Sequence, residues 1–216
     1  MTIRILLVDD QALVRVGFRM VLEAEDDVEV VAEAADGAGA VELAARGGVD
    51  VVLMDVRMPG VDGIAATERI TASGPTPKVL VLTTFDLDEY AYAALRAGAS
   101  GFLLKDARPA ELVAAIRAVH GGDAVLAPTV TRRMLDHFAS SAPEPGDASA
   151  LEVLTPRERE FLVAIAEGLT NDELAARFVL SESTVKTHVG RLLRKLDARD
   201  RVQLVILGYD LGLVGR

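Results

Sequence analysis

The chain has 216 residues, of which 50% are hydrophobic and none is cysteine, and its formal net charge is −10. This length suits two average domains, and the lack of cysteine excludes disulfides, thiolate zinc sites and cysteine nucleophiles. No apolar stretch approaches the roughly 20 residues that cross a membrane, and the chain starts directly on a strand-like segment rather than a signal core, so we expect a cytoplasmic protein without membrane partners.

The charge is divided unevenly along the chain. Residues 1–127 hold 11 Lys/Arg against 20 Asp/Glu, whereas residues 151–216 hold 10 of each. Within the second part, residues 182–201 carry six basic and three acidic side chains. An acidic protein is a poor nonspecific binder of nucleic acid, but a local basic segment still meets phosphates favourably.

Through residue 120, apolar strand-like segments alternate with helical patterns, which predicts a parallel sheet with helices on both faces. The predicted strands span residues 3–8, 28–34, 50–54, 78–83 and 101–104. The predicted helices span residues 11–24, 37–46, 63–73, 87–97 and 108–120. Glycines 47–48, 98 and 121–122 lie where helix C-terminal caps belong, and residues 86–89 resemble a capping box. This α/β pattern fits the flavodoxin-like strand order 2-1-3-4-5.

Chemically active side chains follow four of these strands. Asp9 and Asp10 follow the first strand and Asp55 ends the third, so we expect one acidic cluster at the edge where ligands of such sheets bind. Mg²⁺ suits this cluster, because it relieves the repulsion between carboxylates and accepts a few of them while keeping several waters. Thr83 and Lys105 follow the next two strands. An acidic trio with a hydroxyl and an ammonium is typical of phosphoryl transfer to an aspartate.

Roughly residues 1–120 resemble the receiver domain of two-component response regulators. The matching segments are LLVDD at residues 6–10, MDVRMPGVDG at 54–63, LTTF at 82–85 and GFLLKD at 101–106. The resemblance implies that Asp55 is the phosphoacceptor for a sensor histidine kinase. It also implies that Asp10 and Asp55 bind Mg²⁺ directly, that Asp9 binds it through water, and that Arg57 offers its carbonyl oxygen.

The same resemblance implies a switch. Thr83 and Lys105 would contact the phosphoryl oxygens, and movement of Thr83 would be coupled to Phe102 and to the surface of helix 87–97. Many relatives have tyrosine at the position of Phe102, which lacks a hydroxyl but can still turn inward. Pro59 and Gly60 shape the loop after Asp55.

A linker follows the receiver. Residues 128–137 predict a short linking helix, and residues 140–149 have the composition of a flexible tether. We therefore divide the chain into a phosphoacceptor receiver, residues 1–122, a linker helix with a tether, residues 123–150, and a DNA-binding domain, residues 151–216.

The last segment has the pattern of an all-α domain of four helices. Thr155 and Thr170 each begin a capping box, Ser181 caps a third helix over 182–196, and a fourth helix begins around residues 199–202. The third helix has an apolar stripe opposite a face of hydroxyls and cations. The stripe comprises Val185, Val189, Leu192, Leu193 and Leu196, and the polar face comprises Ser183, Lys186, Thr187, Gly190, Arg191 and Arg194. Such a helix suits a major groove, although a solvated amphipathic helix has the same pattern.

Residues 152–214 resemble the LuxR-type helix-turn-helix through LTPRERE at 154–160, GLTN at 168–171 and SESTVKTHV at 181–189. Both halves together resemble the NarL/FixJ family. The resemblance implies that Lys186 and Thr187 contact base edges or the groove. It further implies phosphate contacts from Asn171, Ser183, Thr184, Lys195 and Arg201. Relatives often carry lysine at Gly190, where glycine permits close approach of DNA or reflects a different operator.

The sequence therefore predicts a DNA-binding transcription factor, not an enzyme, that is activated by phosphorylation. Its expected partners are a sensor histidine kinase, double-stranded promoter DNA, a second copy of the chain on activation, and RNA polymerase. One alternative is a Mg²⁺-dependent phosphohydrolase with an aspartyl nucleophile. That class usually spaces its two acids two residues apart, whereas Asp9 and Asp10 are adjacent. Another alternative, a binding module that no longer responds to phosphate, conflicts with the complete set of site residues.

Overall fold

The computed structural model describes residues 2–83, 89–122, 125–126 and 151–214, and the chain forms two compact units, Met1–Val130 and Thr131–Arg216. The predicted linking helix and tether lie outside the described residues, as do Phe85 and most of the predicted capping box at 86–89.

The first unit contains one parallel sheet in the order β2-β1-β3-β4-β5-β6. Its strands are β1 Ile3–Val8, β2 Val28–Ala34, β3 Val51–Asp55, β4 Lys78–Thr83, β5 Gly101–Leu104 and β6 Val125–Leu126. The five predicted strands and their order are confirmed. The two-residue β6, which the sequence did not predict, extends the sheet beside β5.

Helices cover both faces of this sheet, as the alternating pattern predicted. They are α1 Ala12–Leu22, α2 Gly37–Ala45, α3 Gly63–Ala72, α4 Glu89–Arg96 and α5 Pro109–His120. On one face, Leu53 and Leu80 of the sheet belong to a core cluster with Leu112 and Ile116 of α5. Every residue of β3 is buried, which explains its continuous apolar sequence. Each fully buried leucine or isoleucine contributes roughly 1.5–3 kcal/mol of transfer free energy.

The second unit is helical in its described part, with α6 Pro156–Ala166, α7 Asn171–Phe178, α8 Glu182–Lys195 and α9 Arg201–Asp210. The predicted caps are confirmed: Thr155 and Thr170 form capping boxes, and the Ser181 side chain accepts from the Thr184 amide. Asp200 caps α9 by accepting from two backbone amides. These caps satisfy amides at the helix starts that have no partner within the helix.

The turn between α7 and α8 is tight. Val179 ends α7 in the left-handed conformation, with φ of 55°, which is unfavourable for a β-branched residue. Behind this turn, the Phe161 ring stacks on Phe178 at 4.1 Å and on His188 at 4.6 Å. This stack packs α6, α7 and α8 against one another.

Candidate functional site

The carboxyl ends of four strands of the first unit meet at one edge of the sheet. Asp55 is the last residue of β3 and pairs with Leu82, while Thr83 ends β4 and pairs with Leu104. The next amide, that of Lys105, donates to the Thr83 carbonyl oxygen at 2.7 Å. Because the strands are parallel and paired in this register, the side chains that follow them lie close together at the carboxyl end of the sheet.

Lys105 lies between two aspartates at this edge. Its Nζ is 2.5 Å from Asp9 Oδ2 and 2.9 Å from Asp55 Oδ2, and the Lys105 side chain is 8% exposed. Burial raises the pKa of the Asp55 carboxyl, the charge on Asp9 raises it further, and the Lys105 ammonium only partly offsets this. For Lys105, burial lowers the pKa, but the hydrogen bonds to Asp9 and Asp55 and the negative charges of both carboxylates together outweigh burial and raise it. The Asp55 carboxyl and the Lys105 ammonium therefore each shift the pKa of the other.

The acidic trio predicted from the strand ends is brought together. Asp9, Asp10 and Asp55 each offer a carboxylate oxygen, and these atoms lie within 4.8 Å of one another. Asp10 is exposed, whereas Asp9 and Asp55 are buried. A set of hard oxygen donors that is open to water on one side fits Mg²⁺. The backbone amide of Arg57 donates a hydrogen bond to Asp55 Oδ1 at 3.4 Å. The role of the Arg57 carbonyl oxygen as a Mg²⁺ ligand stays a prediction.

The loop after Asp55 is shaped by glycines. A Cβ at Gly63 would lie 1.9 Å from the Asp55 carbonyl oxygen, so only glycine lets α3 begin so close to the site. Asp62 caps α3 by accepting from the Ala65 amide at 2.8 Å, and Gly60 has a φ of +78° that suits glycine. The sequence contained Gly63 in its matching segment but did not reveal this role, because the contact depends on tertiary packing.

A cavity of about 400 Å³ opens beside the acidic trio. It is lined by Asp10, Val56, Arg57, Met58, Pro59, Asp62, Ile64 and Tyr90. This cavity leaves the exposed side of the cluster open to solvent.

The two predicted switch residues lie inside the fold. Thr83 is buried and Phe102 is fully buried. Residues 84–88, which connect Thr83 to α4, lie outside the described residues. The coupling between the site and the α4 surface therefore stays a prediction.

In the second unit, α8 presents the predicted polar face. Ser183, Lys186 and Thr187 are exposed, while Val185 and Leu192 on the opposite side are buried. Lys186 pairs with Glu182 at 2.7 Å, an exposed pair that solvent screens. The Thr187 hydroxyl donates to the Ser183 carbonyl oxygen at 2.9 Å, and the hydroxyls of Ser183 and Thr184 both contact Ser181 Oγ. Thr184 is partly exposed, and the other three side chains are open to solvent.

Other predicted phosphate contacts have partners within the domain. Lys195 Nζ donates to Glu158 Oε2 at 2.7 Å. Arg201 is 8% exposed; it donates to Asn171 Oδ1 at 2.8 Å and to the Leu169 carbonyl oxygen. The sequence did not predict these links, since they join residues 30 to 37 positions apart and arginine at a helix start is typically exposed. Their roles on DNA stay predictions.

Comparison with known proteins agrees with both units. Residues 5–117 match the family described as the response regulator receiver domain, and residues 152–207 match bacterial regulatory proteins, luxR family. The chain is a response regulator. The transcriptional regulatory protein LiaR of Bacillus subtilis (strain 168) is 42% identical over 212 residues, which cover 98% of this chain and 99% of LiaR. The predicted family, a receiver followed by a LuxR-type helix-turn-helix, is confirmed.

Two solved structures extend the comparison. The crystal structure of the response regulator ChrA, from a heme-sensing two-component system, has a TM-score of 0.55 and 37% identity over 99% of both chains. A structure of two RcsB dimers bound to two parallel DNAs has a TM-score of 0.58 and 26% identity, covering 98% of this chain and 100% of that one. Curated relatives of this response regulator, including LiaR, are transcriptional regulators, so the phosphohydrolase alternative is not favoured.

Within the described part of the chain, no helix combines the length and the apolar character needed to cross a membrane.

Proposed function

We propose that this response regulator is a transcription factor whose DNA binding is controlled by Mg²⁺-dependent phosphorylation of Asp55 by a sensor histidine kinase. One observation carries the proposal: the Lys105 ammonium lies 2.5 Å from Asp9 and 2.9 Å from Asp55 at the carboxyl edge of the sheet. A structural ion pair needs one carboxylate. One ammonium between two buried carboxylates instead leaves the cluster with a net negative charge, which a bound Mg²⁺ would offset so that an anionic phosphoryl group can enter beside Lys105.

In the proposed step, a carboxylate oxygen of Asp55 attacks the phosphorus of a phosphohistidine on the kinase. A P–O bond forms as the P–N bond breaks, and the imidazole leaves with the bonding electron pair. Lys105 then donates to the phosphoryl oxygens, and Thr83 offers its hydroxyl to them. The cavity that borders Asp10 supports access for the donor.

Asp9, Asp10 and Asp55 would hold Mg²⁺, with the Arg57 carbonyl as a further protein ligand. When bound, the ion supplies positive charge that offsets the repulsion between these carboxylates and the incoming phosphoryl oxygens. The all-oxygen donor set and the raised pKa of Asp55 support this assignment.

Phosphorylation would draw Thr83 inward, change the environment of Phe102 and favour a dimer. Converting a population from 1:99 to 99:1 requires about 5.5 kcal/mol of differential stabilisation, so we expect a partial shift toward the dimer. The dimer would bind double-stranded promoter DNA, and the RcsB dimers on DNA support this arrangement. RNA polymerase is a further proposed partner, and the proposed role is regulatory rather than enzymatic.

On DNA, Lys186 and Thr187 would read base edges from the exposed face of α8. The proposed phosphate contacts, which set the register of the helix, are Asn171, Ser183, Thr184, Lys195 and Arg201.

The test uses the full-length protein, acetyl phosphate as donor, and intact-mass measurement with and without Mg²⁺. The wild type should gain one phosphoryl group only with Mg²⁺, and Asp55→Asn should gain none, because an amide forms no acyl phosphate. Asp26→Asn, which alters an exposed aspartate away from the site, is the matched control. Incorporation into Asp55→Asn at the wild-type level would overturn the assignment. Sedimentation with beryllofluoride, beside selection of bound duplexes, tests the dimer and the DNA step.

A further inference from the structure

The C-terminal half of α8 contains a recess of about 240 Å³ lined by Arg191, Arg194 and Lys195. The Lys195 ammonium is already engaged, because it donates to Glu158 Oε2 at 2.7 Å and to the Val153 carbonyl oxygen at 3.2 Å. Arg191 and Arg194 are exposed, and neither forms an ion pair with an acidic side chain in the described part of the chain. The two guanidinium groups are therefore the cations of the recess that no acidic side chain in the described part of the chain already holds.

Gly190 lies next to this recess, in the interior of α8. Glycine destabilises a helix interior relative to alanine, and its usual justifications are a left-handed φ or a close neighbour. Neither applies here, since Gly190 does not have a positive φ and a Cβ at this position would meet no atom within 4 Å. Nothing in the described fold requires glycine at position 190. A partner that approaches the backbone of α8 closely would explain it.

We propose that the recess binds a backbone phosphate of the DNA strand through Arg191 and Arg194, and that Gly190 lets that strand approach the helix. The inference rests on the proposed DNA binding. The recess shares the exposed face of α8 with Lys186 and Thr187, one to two turns earlier, so a strand whose bases meet those residues passes over it. The planar guanidinium fork matches phosphate oxygens. Arg194 Nε already lies 3.3 Å from the Gly190 carbonyl oxygen, which keeps its guanidinium beside the gap.

The charge test measures binding of the full-length protein by fluorescence anisotropy, on a selected duplex and on a scrambled duplex, over several salt concentrations. Arg191→Ala and Arg194→Ala should each weaken binding to both duplexes and make the salt slope shallower by about one unit. Arg159→Ala removes another exposed arginine, from α6, and should leave the slope unchanged. If the two recess variants change the slope no more than Arg159→Ala does, the phosphate site is wrong.

The space test compares two glycines that both lie in helix interiors without a neighbour, Gly190 in α8 and Gly17 in α1. Alanine at either position should raise the melting temperature. Only Gly190→Ala should weaken DNA binding, by about tenfold if one charge-assisted contact is lost. Unchanged affinity in Gly190→Ala would overturn the close approach.

Two further outcomes separate this inference from related explanations. Inorganic phosphate at matched ionic strength should not stabilise the wild type. Stabilisation that disappears in Arg191→Ala would make the recess a site for free phosphate and overturn the DNA assignment. If the wild type binds no duplex at all, the proposed function fails together with the inference. If it binds and the recess variants behave like their controls, the inference alone fails.

Discussion

The charged cluster of the receiver and the cations of α8 differ in their exposure to solvent. In the receiver, Lys105 lies between Asp9 and Asp55, and all three side chains are nearly enclosed. In the second unit, Lys186, Arg191 and Arg194 of α8 are exposed, and so is the ion pair between Lys186 and Glu182. A buried charge depends on its partners because water no longer stabilises it, whereas exposed pairs are weak and screened by salt. On the proposed function, one added phosphoryl group would therefore reorganise the first cluster, whereas the second would bind the many phosphates of DNA.

The largest effect should come from removing the buried cation. Lys105→Ala leaves two adjacent carboxylates without compensation, and we expect a loss of about 3 kcal/mol in the free energy of unfolding without Mg²⁺. Mg²⁺ should stabilise this variant more than the wild type, because the ion replaces the missing positive charge. Urea denaturation with and without Mg²⁺ measures both quantities.

Arg46→Ala is the matched control for an exposed ion pair. Arg46 Nη2 lies 2.6 Å from Glu42 Oε1, and both side chains are more than half exposed. Loss of the Arg46–Glu42 pair should lower the free energy of unfolding by no more than about 0.5 kcal/mol. Equal effects of Lys105→Ala and Arg46→Ala would show that burial does not distinguish the two kinds of cluster.

The receiver cluster was predictable from sequence to a greater extent than the contacts of the second unit. Asp9, Asp55 and Lys105 each follow an apolar strand, and parallel topology alone carries strand ends to one edge. Helix starts were also predictable, because residues such as Thr155 and Ser181 satisfy local amides. These inferences require only nearby residues or a regular topology.

The features that sequence did not predict depend on particular long-range contacts. The pairs Lys195–Glu158 and Arg201–Asn171 join residues 37 and 30 positions apart. No periodic pattern marks such a pair. The strand β6 was missed for another reason: two residues, Val125–Leu126, are too short to show a strand pattern.

The second effect in size concerns base reading by α8. Lys186 is exposed and lies away from the buried Val185 and Leu192, so Lys186→Ala should leave folding intact. If Lys186 reads a guanine edge, the variant should lose about 1–3 kcal/mol at the selected site and relax preference at one base position. Anisotropy on selected and scrambled duplexes measures the difference. Equal weakening on both duplexes would contradict base reading and favour Thr187.

Lys195→Ala is the comparison within the same helix. As a proposed phosphate contact, Lys195 should contribute to binding of every sequence, so its loss should make the salt slope shallower by about one unit. Because Lys195 also holds Glu158, the variant should be less stable as well. A loss of stability with an unchanged salt slope would show that Lys195 stabilises the domain through Glu158 and does not contact DNA.

A smaller gain in stability should come from the turn between α7 and α8. Val179 has a φ of 55° and is 89% exposed, so its side chain gains little from packing. Val179→Gly should stabilise the protein by about 1 kcal/mol, because glycine carries no penalty in the left-handed region. Val179→Ala keeps the Cβ and should bring little gain. Thermal unfolding compares them, and equal stability of all three proteins would mean that this turn carries no strain.

The smallest effect should depend on pH and concerns Glu158, which joins the start of α6 to the end of α8. Its Oε2 accepts from Lys195 Nζ at 2.7 Å and from the Thr155 amide and hydroxyl at 2.9 Å each. The Lys195 hydrogen bond, followed by that of the Thr155 amide, lowers the pKa of Glu158 to about 2. A carboxyl with a depressed folded pKa stabilises the fold above its unfolded pKa of about 4.3 and loses this contribution as pH falls toward about 2.

Glu158→Gln keeps the capping-box geometry but removes the charge. Lys195 is partly exposed, so solvent screening should limit the loss at pH 7 to about 0.5 kcal/mol. Because glutamine does not titrate, the difference from the wild type should shrink between about pH 4.3 and pH 2, where Glu158 itself becomes neutral. Lys195→Met removes the other partner and should weaken the same pH dependence, with little added by the double variant. Denaturation of the four proteins at pH 7 and at pH 3 measures this. A difference between wild type and Glu158→Gln that stays constant with pH would rule out the ion pair as its cause.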